Sequence, residues 1–262
     1  IIDLYTYTNA TESTTVPSKM SALYMVLANA RTSAFSEDTV EGRIFGGNDK
    51  LPKTFAKKLG TKVKYNRALK RLKFDSKGVT ATLEENGASQ SIKALKCVIA
   101  VPASILRTID IQPGFSSDKT HCIRNQDYGH AMKVAMQYRK RFWDEKGSIG
   151  QRVFTDTRLR RIYHFSIDQP GPRGILLTFT SGEDARKLGR YNEERRMMMA
   201  QKTCEDIWPE SPQYWENGIT KYWNEDPWVK ASYSIAGVGQ KGFRDILAKP
   251  EGPVYFAGEH TA

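Results

Sequence analysis

Cysteine is scarce: Cys97, Cys122 and Cys204 are the only three among 262 residues, widely spaced and without a CxxC pair. The odd count and the spacing argue against a disulfide framework, and the lack of paired ligands argues against a cysteine-based zinc site. Histidine is nearly as rare, four residues with no close pair, and adds nothing for a metal. No run approaches the roughly 18 apolar residues of a spanning helix, which excludes a membrane-embedded chain. The opening Ile1-Ile2-Asp3-Leu4-Tyr5 has no basic region, so no signal peptide is visible and the compartment stays undetermined. Internal repeats and low-complexity tracts are also missing.

Positive charge, by contrast, is plentiful: 40 Lys and Arg against 29 Asp and Glu, a net +11. Such an excess suits an anionic partner, whether a nucleotide cofactor, an acidic substrate or nucleic acid. The basic residues run from end to end, with no basic tail and no basic run interleaved with stacking aromatics, so no nucleic-acid partner is expected. Hydrophobic content of 39% and charged content of 26% describe a soluble globular protein. The length allows one large domain or two ordinary ones around a sizeable core.

Periodicity fills in the layout. The first forty residues are rich in Ser and Thr and include an apolar helical stretch from Ala22 to Ala30. Gly46-Gly47-Asn48-Asp49 opens a turn; Leu51, Phe55 and Leu59 then recur at helical spacing until Gly60. Thr61 to Tyr65 alternates like a strand, and two more strands are expected at Leu69 to Phe74 and Val79 to Glu84, around the turn Asp75-Ser76-Lys77-Gly78. Residues 95–101 read as a short buried strand ending at Pro102. Strand periodicity returns over 128–143, at Arg161 to Ile167 and at Gly174 to Thr180. Glu183 to Trp208 reads as one helix with Met197, Ala200, Cys204 and Ile207 on a face, closed by Pro209 and Pro212. A last strand, Val254 to Ala257, runs into Gly258-Glu259. Strands alternate with helices, so the class is mixed α and β.

Gly237-Val238-Gly239-Gln240-Lys241-Gly242 spells the G-x-G-x-x-G fingerprint but lacks its context. A phosphate-binding turn needs a long helix after it and a later strand bearing an acid. Here only Phe243 to Lys249 is available before Pro250, so a plain glycine-rich loop is expected.

Four segments, in order, resemble the flavin-containing monoamine oxidase family, which includes L-amino-acid and polyamine oxidases. They are Gly46-Gly47 with its helix through Leu72, Val98 to Pro102, Lys133 with Phe142-Trp143, and Trp223 through Tyr255-Phe256-Ala257-Gly258-Glu259-His260-Thr261-Ala262. The resemblance implies an FAD-binding Rossmann-like half from 41–113 and 219–262. A mixed-sheet substrate domain is implied from 1–40 and 114–218, interleaved with it. It also implies an incomplete chain, because the family's amino-terminal nucleotide-binding motif is not found in these residues.

The same resemblance assigns roles. Leu69 would face the adenine through its backbone, and Pro102 would end a strand passing close to FAD. Gly258 would let backbone approach the cofactor, and Glu259 would accept hydrogen bonds from ribityl hydroxyls. Lys133 would hold a water at the flavin, Trp223 would pack near the ring, and Tyr233 would wall the substrate amine. Residue type alone leaves Leu69, Trp223 and Tyr233 equally suited to a core, Glu259 to solvent, and Lys133 to a strand edge. A lysine in a burial-prone strand is costly unless paired or neutral. Ser232 stands where covalent members carry a flavin-linked cysteine, so the FAD is expected to be noncovalent.

The implied reaction is oxidation of an amine or L-amino acid, with oxygen as acceptor and hydrogen peroxide as product. No membrane partner is expected, and a homo-oligomer is left open. The arginine fork an amino-acid carboxylate needs cannot be assigned; Arg124 and Arg152 are among the arginines present. Two rivals are a noncatalytic protein that kept the flavin fold and a flavoprotein desaturase or porphyrin oxidase. The presence of Lys133 argues against the first, and Lys133 with Phe142-Trp143 argues against the second.

Overall fold

The computed structural model describes residues 13–23, 26, 44–144 and 152–261. Most of the helical stretch expected from Ala22 to Ala30 lies outside them. The chain folds as two compact units, one from Ile1–Met20 and Gly129–Ser232, the other from Ser21–Tyr128 and Tyr233–Ala262.

The second unit starts as the glycines dictate. Gly46 and Gly47, both at positive φ, turn the chain into helix α1 (Lys50–Leu59), which Gly60 ends at φ 55°. The apolar stripe of α1 is exposed: Leu51 at 53%, Phe55 at 60% and Leu59 at 50%. Thr61 to Tyr65 does not form the expected strand. A single 3-10 turn, Gly60–Lys62, continues the helix end, and the extended Val63 has no ladder partner among the described residues.

Strands β1 (Ala68–Asp75), β2 (Gly78–Glu85) and β3 (Ala88–Ala94) make an antiparallel meander. At the first turn the Asp75 carboxylate accepts the Lys77 N–H at 2.7 Å. Strand β3 is exposed throughout, and its polar sequence hides it from a search for apolar alternation. Next come β4 (Cys97–Ile99), helix α2 (Ala103–Leu106) and β5 (Asp110–Gln112), which lies parallel to β1 and completes the order β3-β2-β1-β5. Helix α3 (Ser117–Asn125), capped by Ser116, leads to the short β6 (Asp127–Tyr128).

The first unit is built on β7 (Ala131–Tyr138), β8 (Arg152–Phe154), β9 (Arg161–His164) and β10 (Gly174–Ser181). Helices α4 (Gly182–Leu188) and α5 (Glu193–Ile207) follow, then β11 (Trp215–Tyr222), giving an antiparallel sheet of order β11-β7-β10-β9-β8. The single helix expected from Glu183 to Trp208 is therefore two. The Tyr222 ring packs so close to Gly189 that a Cβ there would stand 2.2 Å from Cε1, and the Asn192 side chain restarts the helix by accepting the Arg195 N–H at 2.9 Å. Period-two alternation sends Met132, Val134, Met136 and Tyr138 into a core with Ala200 and Cys204 of α5. Phe142 and Trp143 are buried against Tyr138 in that core.

Three distant segments meet in the first unit. The Thr14 hydroxyl lies 2.9 Å from that of Ser232, the His130 N–H donates to the Thr14 carbonyl at 3.0 Å, and Ser232 N–H donates to the Gly129 carbonyl at 3.0 Å. A Cβ on Gly129 would fall 1.6 Å from the Thr14 hydroxyl.

The chain closes the second unit with β12 (Ser234–Ile235), helix α6 (Phe243–Ala248) and β13 (Val254–Phe256). Strand β12 pairs with β6, and β13 pairs in parallel with β4. The strand expected to be buried over 95–101 is shorter and only half buried: Ile99 faces the core while Val98 is 64% exposed. The G-x-G-x-x-G letters form a loop, with only the six-residue α6 behind them.

Packing borders fall at different points from the expected 113/114 and 218/219. Residues 114–128 pack with the second unit, where Cys122 and Ile123 join the core of Leu72, Ile99, Phe243 and Val254. Residues 219–232 stay with the first, because Ile219 to Tyr222 complete the β11–β7 ladder.

In the second unit Lys119 is buried. Its ammonium donates to the carbonyls of Ile246, Leu247 and Lys249 at 2.8, 2.9 and 2.7 Å and stands 3.7 Å from the centre of the Phe256 ring.

Candidate functional site

In the first unit, the pleat that buries Met132 and Val134 turns Lys133 to the other face of β7. This strand is central, not an edge, with β10 on one side and β11 on the other. Phe179 and Lys221 stand directly opposite Lys133. The Lys133 ammonium is 5.2 Å from the Phe179 ring centre and 5.7 Å from that of Trp223. Its like-charged neighbour is neutralised, since Lys221 pairs with Asp226 at 2.5 Å. Lys133 itself has no hydrogen-bond or ion-pair partner among the described residues, and burial pulls its ammonium below the ordinary lysine range.

Trp223 opens a one-turn helix, Trp223–Glu225, at the end of β11. That turn is pinned from α5. The buried Arg196 guanidinium forms two hydrogen bonds with the Glu225 carboxylate and also donates to the carbonyls of Leu188 and Gly189. Lys133 and Trp223 are thus brought together, with Phe179 as a third member. Phe179 escapes sequence reading because only the β7–β10 register puts it opposite Lys133.

The other predicted residues belong to the second unit. Strands β4 and β13 run in parallel, and their carboxyl ends are tied where the Ala257 N–H donates to the Ile99 carbonyl at 2.9 Å. Pro102 sits at the end of the first strand and starts α2. Gly258 follows the second at φ 120°, and a Cβ there would press within 3.2 Å of the His260 ring. Only glycine suits that turn, leaving bare backbone at the strand ends. The exposed Glu259 carboxylate accepts from the Ser234 N–H and hydroxyl, at 3.1 and 2.7 Å. Tyr233, 36% exposed, immediately precedes β12. Leu69 lies apart in β1, where pairing with β5 begins only at Arg71 and leaves the edge beside it outside any ladder among the described residues. A cleft of about 790 Å³ beside Lys73, Gly78, Lys93 and Pro113 includes none of the predicted residues.

These features fit a cofactor carrying hydroxyl groups. Bare backbone and an accessible carboxylate share the carboxyl ends of two parallel strands, the end of an α/β sheet where ligands bind. In the first unit an ammonium with no counterion among the described residues stands over aromatic rings. Among the described residues no helix is long and apolar enough to cross a membrane, and no His, Cys, Asp and Glu cluster could hold a metal. The three cysteines are free thiols, Cys122 and Cys204 buried.

Fold and site together define a mixed α/β protein of the cofactor-binding kind. Residues 11–262 match the family model for flavin containing amine oxidoreductase, and the chain belongs to that family. It is similar to the flavin-dependent L-tryptophan oxidase RebO of Lentzea aerocolonigenes, with 28% identity over 84% of this chain and 48% of that protein. An L-amino-acid oxidase of Siganus canaliculatus is also 28% identical, over 84% of this chain and 43% of its own length. The chain thus spans about half the length of these relatives. Among solved structures, cyclohexylamine oxidase from Brevibacterium oxydans IH-35A superposes with a TM-score of 0.83 at 18% identity, covering 99% of this chain and 58% of that one. A putrescine oxidase variant gives 0.83 at 22% identity, over 95% of this chain and 56% of its own. At these identities the two structures show the shared fold.

Proposed function

We propose that the complete protein oxidises a primary amine or L-amino acid using noncovalently held FAD. The imine formed is hydrolysed to an aldehyde or keto acid with ammonia, and oxygen is reduced to hydrogen peroxide. The observation that carries this reading is Lys133, half-buried, set against Phe179 and Trp223 and without a counterion among the described residues. FAD, when bound, supplies the acceptor for the substrate's hydride.

The chain's own residues have distinct tasks in this reading. Glu259 accepts hydrogen bonds from the ribityl hydroxyls, Gly258 and Pro102 keep backbone close to the cofactor, and Leu69 offers main-chain groups to the adenine. Trp223 packs near the flavin, Lys133 orients a water there, and Tyr233 lines the substrate. The names of the L-amino-acid oxidases among the relatives support the amino-acid branch. The reading is tested by supplying FAD-loaded complete protein with panels of amines and L-amino acids while oxygen and peroxide are measured. Matched oxygen uptake and peroxide release with one class is expected; an FAD-loaded protein silent on both panels overturns it.

Ser232 makes a separate prediction. A hydroxyl cannot form the thioether that a cysteine there would form, and it is already engaged with Thr14. Acid or heat precipitation of the holoprotein should leave all flavin in the supernatant. Flavin retained on the washed pellet would contradict the noncovalent assignment.

A further inference from the structure

The two loops at the ends of β4 and β13 are each hydrogen-bonded to one member of a facing pair of residues. In the ladder between β6 and β12, Ser234 stands opposite Tyr128. Tyr128 reaches one loop, where its phenol oxygen accepts the N–H of Ala103, the residue after Pro102, at 2.9 Å. Ser234 reaches the other through its two hydrogen bonds to Glu259. Gln126 seats the ladder, its amide donating to the Ile235 carbonyl at 2.8 Å and that of Asp127 at 3.0 Å.

We propose that Tyr128 and Ser234 form a clamp that positions the Pro102–Ala103 turn and the Glu259 carboxylate for the cofactor. The proposal rests on the reading of Glu259 as an FAD ligand. An exposed carboxylate has little need of protein donors for stability, because water serves it as well. Two donors from one residue instead fix its orientation and leave its remaining lone pairs for a ligand hydroxyl. Burial raises the Tyr128 pKa, so the phenol stays neutral and keeps its own proton at ordinary pH. A site ordered before binding loses less on binding. Neither residue touches the reacting atoms; both are positioning residues.

The test is FAD affinity, measured by flavin fluorescence on titrating the complete apoprotein. Ser234→Ala should weaken binding about 10-fold and Tyr128→Phe about 5-fold, in the range for losing hydrogen bonds to a charged or buried partner. The double variant should lose less than the product of the two, as for residues acting through one ladder. Ser234→Thr, which keeps the hydroxyl, should restore affinity, while the apoprotein melting temperature stays at the wild-type value in both Ser234 variants. If folded Ser234→Ala or Tyr128→Phe binds FAD like wild type while Glu259→Gln does not, the clamp is wrong and the Glu259 reading stands. If Glu259→Gln itself binds normally, the ligand reading fails and the clamp fails with it. Should Ser234→Ala not fold, wild-type affinity in Tyr128→Phe overturns the proposal alone.

Discussion

Lys133→Met should slow oxidation of the reduced, FAD-loaded protein by oxygen on the order of 100-fold, the low end for losing a positioned catalytic group. Methionine keeps nearly the length of lysine and removes both charge and donor. The charge is the part in demand. Oxygen gains negative charge as it takes electrons, and a fixed cation in a poorly hydrated place stabilises that charge without reorganising. Lys133 meets the requirement because it lies against the Phe179 and Trp223 rings, and among the described residues no carboxylate neutralises it. Lys221, directly opposite, is the internal control, since Asp226 already cancels its charge. Lys221→Met should leave the oxygen reaction near wild type. Stopped-flow measurement of the reductive and oxidative halves separately distinguishes the effects. An unchanged oxidative rate in Lys133→Met removes this lysine from the site.

Lys119→Met should lower the unfolding free energy by about 3 kcal/mol, because three carbonyls lose their donor together in a buried place. Burial pulls the ammonium from 10.5 down to about 8, against the three carbonyls that favour the charged form. A group whose folded pKa lies below its unfolded value adds stability that is complete above the unfolded value and lost as pH falls through the folded one. Stability from Lys119 should therefore rise between about 8 and 10.5, and the deficit of Lys119→Met should widen over that window. Urea denaturation midpoints at pH 7.5 and pH 9.5 check both size and sign. A deficit that narrows with pH would mean the carbonyls hold the ammonium above its ordinary range.

Lys119 also marks where sequence reading stops. In Ser117-Asp118-Lys119-Thr120 it looks like a surface lysine, and only the return of α6 gives it three acceptors. Local rules worked where the cause is local: Gly60 ending α1, the Asp75 turn, the alternation of β7. They failed where a distant partner decides. Thr61 to Tyr65 has strand-like alternation but no ladder partner among the described residues, while the polar β3 is a strand because β2 lies beside it. The break between α4 and α5 is set by the Tyr222 ring, thirty-odd residues away in sequence. The same division governs the site. Lys133, Gly258 and Glu259 stand out by type and setting, whereas Phe179, Tyr128 and Ser234 gain meaning only from register.

The junction of Thr14, Gly129 and Ser232 has a consequence for the order in which the protein is made. Thr14 leaves the ribosome 218 residues before the hydroxyl it faces. At translation rates of roughly 5–20 residues per second, that is a wait of about 10–40 s. For most of it the first unit lacks β11, and the intervening residues of the second unit emerge before their own strand β13. Neither unit is continuous in sequence, so each must pair segments made far apart, and much of that pairing is non-local and slow to form.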